Sequence, residues 1–228
     1  MIDDERVFQR ARSAEHKEQR AAALLASARA LALREGVGSV TLTEIAKSAG
    51  VHVSAVRRYF ESREDIFLRL SAEGWTEWVD AVAAALATGQ DLADVIGQTL
   101  AERPLFCDLL PHVQASFERQ VSLESVWAFK LQAIAEAERL AGLVTAAVGG
   151  FDEDAGLDLV AAVTAMAGML WQTAHPAPVL AALYEADPRL AHGVVDFAPR
   201  LTRFVRTFVR GLTSDRPAGR GAEADSPS

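Results

Sequence analysis

Between Thr41 and Phe60 the residues specify two short helices and a sharp turn, which leaves few folds open to the rest of the chain. Thr41-Leu42-Thr43-Glu44 is a capping box, in which the Thr41 hydroxyl can accept from the Glu44 backbone while the Glu44 carboxylate reaches back to the cap. The helix it opens ends at Gly50, Val51 and His52 make a tight turn, and a second helix is expected over about Val53 to Tyr59. Ser62 then caps a long helix, with Glu64 and Asp65 in its first turn complementing the dipole. Upstream, Ala21, Leu24, Leu25, Ala28, Leu31 and Ala32 form the apolar stripe of a helix over about Glu15 to Glu35, stopped by Gly36. Ile45, Ala46, Ala49, Val51, Val56 and Phe60 supply small inner contacts for the pair. Two such helices around a turn make a helix-turn-helix, whose second member is sized for the major groove of DNA.

The remainder also reads as helix. β-Branched alternation is scarce, and glycine and proline fall mostly between periodic segments. Helices are expected at about 64–88, 91–102, 105–118, 122–148, 153–174, 178–185 and 196–213. The fold class is therefore all-α, a three-helix DNA-binding module at 15–63 on a helical bundle at 64–213. A loose arm at 1–14 and a solvated tail at 214–228 flank them. The chain has no run near 18 uninterrupted apolar residues, and its first residues, Met1 to Arg6, are acidic where a secretory signal would be basic, so a cytoplasmic protein without a membrane partner is expected. Cys107 is the single cysteine, which excludes an intrachain disulfide and disfavours a structural zinc site.

Charge separates the two parts. The net charge is −8, yet Glu5 to Arg63 holds eleven Lys/Arg against six acidic residues, about +5, leaving about −13 elsewhere. A basic module on an acidic body suits a protein of which one part meets a polyanion. Arg57 can offer a bidentate fork to guanine, Ser54 and Tyr59 can bond bases or phosphates, and Val53 or Ala55 can meet a thymine methyl. Arg58, with Thr41 and Thr43 at the start of the first short helix, completes the DNA-facing set, and Arg63 at a helix N-terminus is expected on a phosphate. From periodicity alone, a three-helix bundle with a solvated basic face reads equally well.

The run from Thr41 to Ile66, TLTEIAKSAGVHVSAVRRYFESREDI, resembles the DNA-binding signature of the TetR family of transcriptional repressors. The likeness lies in the Thr cap, the Ile-Ala before the turn, Ala-Gly-Val, the Tyr-Phe pair and the Ser-Arg-Glu-Asp-Ile ending, and it covers about 50 residues. His52 stands where the family usually has a capping Ser, and Arg57 replaces a frequent Tyr. The resemblance implies a homodimer on a double-stranded palindromic operator, a small-molecule effector bound by the helical body, and no enzymatic activity.

In that body the 157–171 segment is apolar almost all round and needs cover on opposite sides. Phe197, Leu201, Phe204 and Phe208 share one face of the last helix. Paired with their symmetry mates the two helices would form a four-helix dimer interface, the alternative being an intrachain core. Trp75, Trp78, Phe106, Phe117, Trp127, Met166 and Trp171 are candidates to line an apolar effector cavity, with His112, Gln114, Thr164 or Gln172 adding polar contacts, unless they are simply packed core. Cys107, Asp108 and His112 share a helix face but lack a nucleophile turn, and the histidines show no metal-ligand spacing, so neither catalysis nor a cofactor or metal is expected. A helical sensor or protein-interaction module that does not read DNA is the alternative function.

Overall fold

The computed structural model describes residues 2–149, 151–193 and 195–214, the side chains of 2–14, 114, 191 and 192 excepted. Its helices are α1 (Ile2–Glu35), α2 (Leu42–Ser48), α3 (Val53–Val56), α4 (Arg63–Leu86), α5 (Leu92–Ala101), α6 (Pro104–Ala115), α7 (Leu123–Ala147), α8 (Glu153–Ala174), α9 (Pro178–Ala186) and α10 (Phe197–Ser214). Single 3₁₀ segments lie at Val37–Ser39, Phe117–Arg119 and Pro188–Gly193, and the described residues contain no strand.

Local chemistry sets most of these ends. The Thr41 hydroxyl accepts from the Glu44 backbone at 3.3 Å, and Glu44 accepts from the Thr41 backbone at 2.8 Å. Ser62, Asp91, Ser122 and Asp152 cap α4, α5, α7 and α8 by accepting from first-turn backbone N–H groups. Gly36 and Gly50 take φ of 79° and 67°, a conformation in which a Cβ is strained.

Three elements differ from the sequence expectation. The helix expected from Glu15 begins at Ile2, because nothing between there and Glu35 is Gly or Pro, so the stretch expected as a loose arm has helical backbone. α3 ends at Val56 and tightens: Arg58 N donates to Ala55 O and Tyr59 N to Val56 O, both i→i+3 bonds. The helix expected to reach 118 stops at Ala115, where Ser116 leaves helical geometry at φ −139°, ψ −45°. Residues 215–228, expected as a solvated tail, lie outside the described residues.

One hydrophobic core runs through both parts, from Leu24, Ala28, Ile45 and Val56 to Trp78, Leu109 and Leu159. α4 is its spine, packing on α1, α5, α6 and α7, while α8 packs on α6, α7 and α10. Gly168 allows the α6–α8 approach, since a Cβ there would lie 2.9 Å from Pro111 Cδ. By length and hydropathy α8 is the one described helix able to span a bilayer; it packs on α6, α7 and α10.

Candidate nucleic-acid interface and effector region

The helix-turn-helix is held from within by Ile45, Ala46, Val56 and Phe60, all buried. His52 caps α3: its Nδ1 accepts from the Ser54 backbone at 3.3 Å and lies 2.9 Å from the Ser54 hydroxyl. Ser54, Arg57 and Arg58 are exposed, and neither arginine makes an ion pair among the described residues. Thr43 is exposed and open; Thr41 is exposed, but its hydroxyl is occupied by Glu44 in the capping box. Val53, Ala55 and Tyr59 are half-buried, and Val53 and Tyr59 pack against the core. Lys47, which the motif does not single out, is likewise exposed and without an ion pair.

Arg63 requires a correction. Expected on a phosphate, it donates from Nε to the Val40 carbonyl and from a terminal nitrogen to the Val37 carbonyl, and it pairs with Glu64 at 2.9 Å. Its guanidinium also lies 4.8 Å from the centre of the Phe67 ring, and the side chain is only 19% exposed. Such a fork, already matched to two backbone acceptors and a carboxylate, ties the Val37–Val40 segment to α4.

The aromatic set divides. Trp75, Trp78 and Phe106 are buried against one another with ring centres 5.6–5.7 Å apart, and Trp78 Nε1 donates to Thr99 Oγ1 at 3.1 Å. They form packed core, and among the described clefts only one of about 230 Å³, which Phe106 borders with Leu70 and Gly74, reaches any of the three. The cause is tight α4–α6 contact: a Cβ on Gly74 would lie 2.5 Å from the Phe106 ring. Phe117 is buried between Phe67 and His112, its ring 5.9 and 5.7 Å from theirs. Met166 is half-buried against the core, and Trp127 is 65% exposed on the outer face of α7, so neither lines a described cavity. His112 and Trp171 do come together, on a cleft of about 460 Å³ between residues 32–39, α6 and the end of α8, with Asp108, Gln172 and His175 in its wall. A second cleft of about 490 Å³ between α1, α4 and α7 is lined by Leu25, Phe60, Leu68, Phe129 and Gln132, of which periodicity places Leu25 and Phe60 on inner faces. Thr164 donates to its own helix, and the side chain of Gln114 lies outside the described residues.

Residues 24–70 match the family described as bacterial regulatory proteins, tetR family, and residues 72–216 match the tetracyclin repressor-like C-terminal domain. The chain belongs to the TetR family. No curated protein matches it in sequence. A TetR-family regulatory protein from Rhodococcus RHA1 superposes with a TM-score of 0.53 at 17% identity, over 85% of this chain and 96% of its own. The fatty acid degradation regulator FadR of Bacillus halodurans gives 0.52 at 16% identity, over 86% and 98%. The Thermus thermophilus FadR repressor in complex with lauroyl-CoA gives 0.52 at 19%, over 91% and 100%. At these identities the likeness establishes a shared fold.

Within this TetR-family chain the junction holds two perturbed groups. Burial holds His112 below the ordinary imidazole range, with Asp108 opposing the shift and Arg63 adding to it. Burial pushes the Cys107 thiol up to about 12, and its Sγ lies 3.3 Å from the Leu100 carbonyl, so it behaves as a small apolar side chain. No cluster of three or more metal-ligating side chains occurs among the described residues.

Proposed function

We propose that this TetR-family regulator is a homodimeric, cytoplasmic repressor that binds a palindromic operator through α2 and α3 and is released when a small, largely apolar effector binds its helical body. The observation that carries the DNA reading is the exposed Arg57–Arg58 pair, free of ion pairs at the end of a capped recognition helix. Guanidinium groups left in this state suit base edges and phosphates. Thr43, Ser54 and Lys47 extend the surface, whereas Arg63 positions the module from inside.

The dimer is supported by the outer face of α8, where Ala161, Ala165 and a 63% exposed Met169 are uncovered, and by exposed Phe208 on α10. Small residues permit close helix approach, and two copies of α8 and α10 would pair as a four-helix interface. A two-fold dimer then sets two recognition helices about 34–36 Å apart, on successive major grooves.

For the effector, the shared fold of a relative seen with lauroyl-CoA supports a body that accepts an acyl-type molecule. The two clefts at the junction of module and body are candidate entrances, and His112 and Trp171 are the expected ligand residues that border one of them. α4 begins at the DNA module and packs on α1, α5, α6 and α7, which suits it to transmit the change. Release cannot exceed the difference in effector affinity between the two states.

Selection of random duplexes by the purified full chain, at a salt concentration of about 0.15 M where non-specific binding is weak, tests this function. A palindrome with half-sites about one helical turn apart is expected. Recovery of no sequence by folded protein, with effector stripped by refolding, would overturn it.

A further inference from the structure

One carboxylate bridges three parts of the junction. Asp108 of α6 accepts from the Val37 backbone N–H at 2.7 Å with one oxygen and from the Gln172 side-chain amide of α8 at 2.6 Å with the other. Both donors are neutral, and Asp108 makes no ion pair among the described residues. Val37 is fully buried in the 3₁₀ turn between α1 and α2, four residues before the Thr41 cap. Its carbonyl is taken by Arg63 of α4. The two backbone polar groups of one residue are thus held from two different helices of the body, and the acceptor on its N–H is itself held by a third.

An N–H at the start of a helical turn has no partner within the turn and needs one from outside when buried. A carboxylate is suited to that role because it is an acceptor only, so each oxygen can serve a separate donor. Nothing local accounts for an aspartate here: Asp108 caps no helix, and its partners lie 71 and 64 residues away in the chain.

We infer that Asp108 is a positioning residue for operator binding: it fixes the 3₁₀ turn from which α2 departs and links that setting to α8 through Gln172. Displacement of α8 or α6 is felt at Val37, and from there at the helix-turn-helix, alongside the hold that Arg63 of α4 keeps on the same residue. For its effect on DNA this inference rests on the function proposed above; for its effect on the turn it does not.

The test combines hydrogen exchange resolved to the Val37 amide with operator affinity, for the full-length wild type, Asp108→Ala, Gln172→Ala and the double variant. Asp108→Ala is expected to speed Val37 exchange at least tenfold and to weaken operator binding by about tenfold, leaving α1 amides near Leu24 and Ala28 as protected as before. Gln172→Ala is expected to move both readouts in the same direction by a smaller factor, and to add nothing in the Asp108→Ala background, because it acts through the carboxylate. Unchanged Val37 exchange in Asp108→Ala, faster exchange with unaltered operator affinity, or full additivity of the two substitutions would each overturn the inference. If the α1 amides of Asp108→Ala show global unfolding, Asp108→Leu, similar in shape and without an acceptor, carries the same comparison. A wild type that selects no duplex would defeat the DNA-reading function, while the exchange experiment would still decide whether Asp108 holds the turn.

Discussion

On the DNA module Lys47, Arg57 and Arg58 stand exposed without ion pairs among the described residues, whereas on the body Arg69, Lys130, Arg139 and Arg206 each meet a carboxylate, at 3.5, 2.8, 2.5 and 2.9 Å. The paired set contributes little to stability, since exposed ion pairs give about 0.2–1 kcal/mol each. Their significance is availability. A cation already matched to a carboxylate has little left for a phosphate, so these four body cations are largely spent while the recognition-helix arginines keep their positive field for a polyanion. The division is by site and not by domain, since Arg29 and Arg34 on α1 are paired with carboxylates, whereas Arg119, Arg203 and Arg210 of the body make no ion pair among the described residues. Arg63 lies in the basic stretch by sequence yet behaves like the paired set, its donors directed to Val37, Val40 and Glu64.

This contrast is sharpest in substitutions of arginine. Arg57→Ala with Arg58→Ala is expected to lower operator affinity by about 1–3 kcal/mol for each base edge no longer read, with the thermal midpoint unchanged. A fluorescence anisotropy titration beside a melting curve checks it, and a variant that melts early but binds normally would break the contrast. Arg63→Ala should do the reverse, costing about 1.5–3 kcal/mol of stability in urea unfolding as the Val37 and Val40 carbonyls lose a charged donor. Arg139→Ala should cost no more than about 1 kcal/mol of stability and leave operator affinity alone; an effect on DNA would mean that a carboxylate-paired cation still reaches the operator.

The smallest effect concerns pH. Because burial depresses the His112 pKa in the folded state, the unfolded chain takes up its proton first as pH falls below the ordinary value of 6.5. Its contribution to stability is complete above that value and is lost as pH drops toward the folded one. His112→Phe should therefore flatten the fall in urea midpoint between pH 7.5 and 5.5, and an unaltered slope would show that the Phe117-facing ring is not desolvated.

Local chemistry was the legible part of this chain. Capping residues act over three or four positions, so Thr41 with Glu44 and Ser62 announce their helices, and the TetR-family motif made the family readable from Thr41 to Ile66. Partner choice across long separations was not legible. Arg63 looks like a phosphate ligand until Val37 and Val40 are folded against it, and the tight Gly74–Phe106 contact turns Trp75 and Trp78 from candidate cavity walls into packed core. Trp127 shows the opposite failure, an aromatic at helical spacing that faces solvent, while Phe129 and Gln132 take the α4 side of its helix. Asp108 carries no local signal, since both donors it serves come from distant segments.

The most direct test of a two-fold DNA reader uses the selected palindrome and a second duplex in which five base pairs are inserted between its half-sites. Half a helical turn sends one recognition helix to the wrong side of the DNA. Affinity for the spaced duplex should fall to that of a single half-site, with the protein remaining dimeric in sedimentation. Equal affinity for the two duplexes would contradict simultaneous reading of two half-sites.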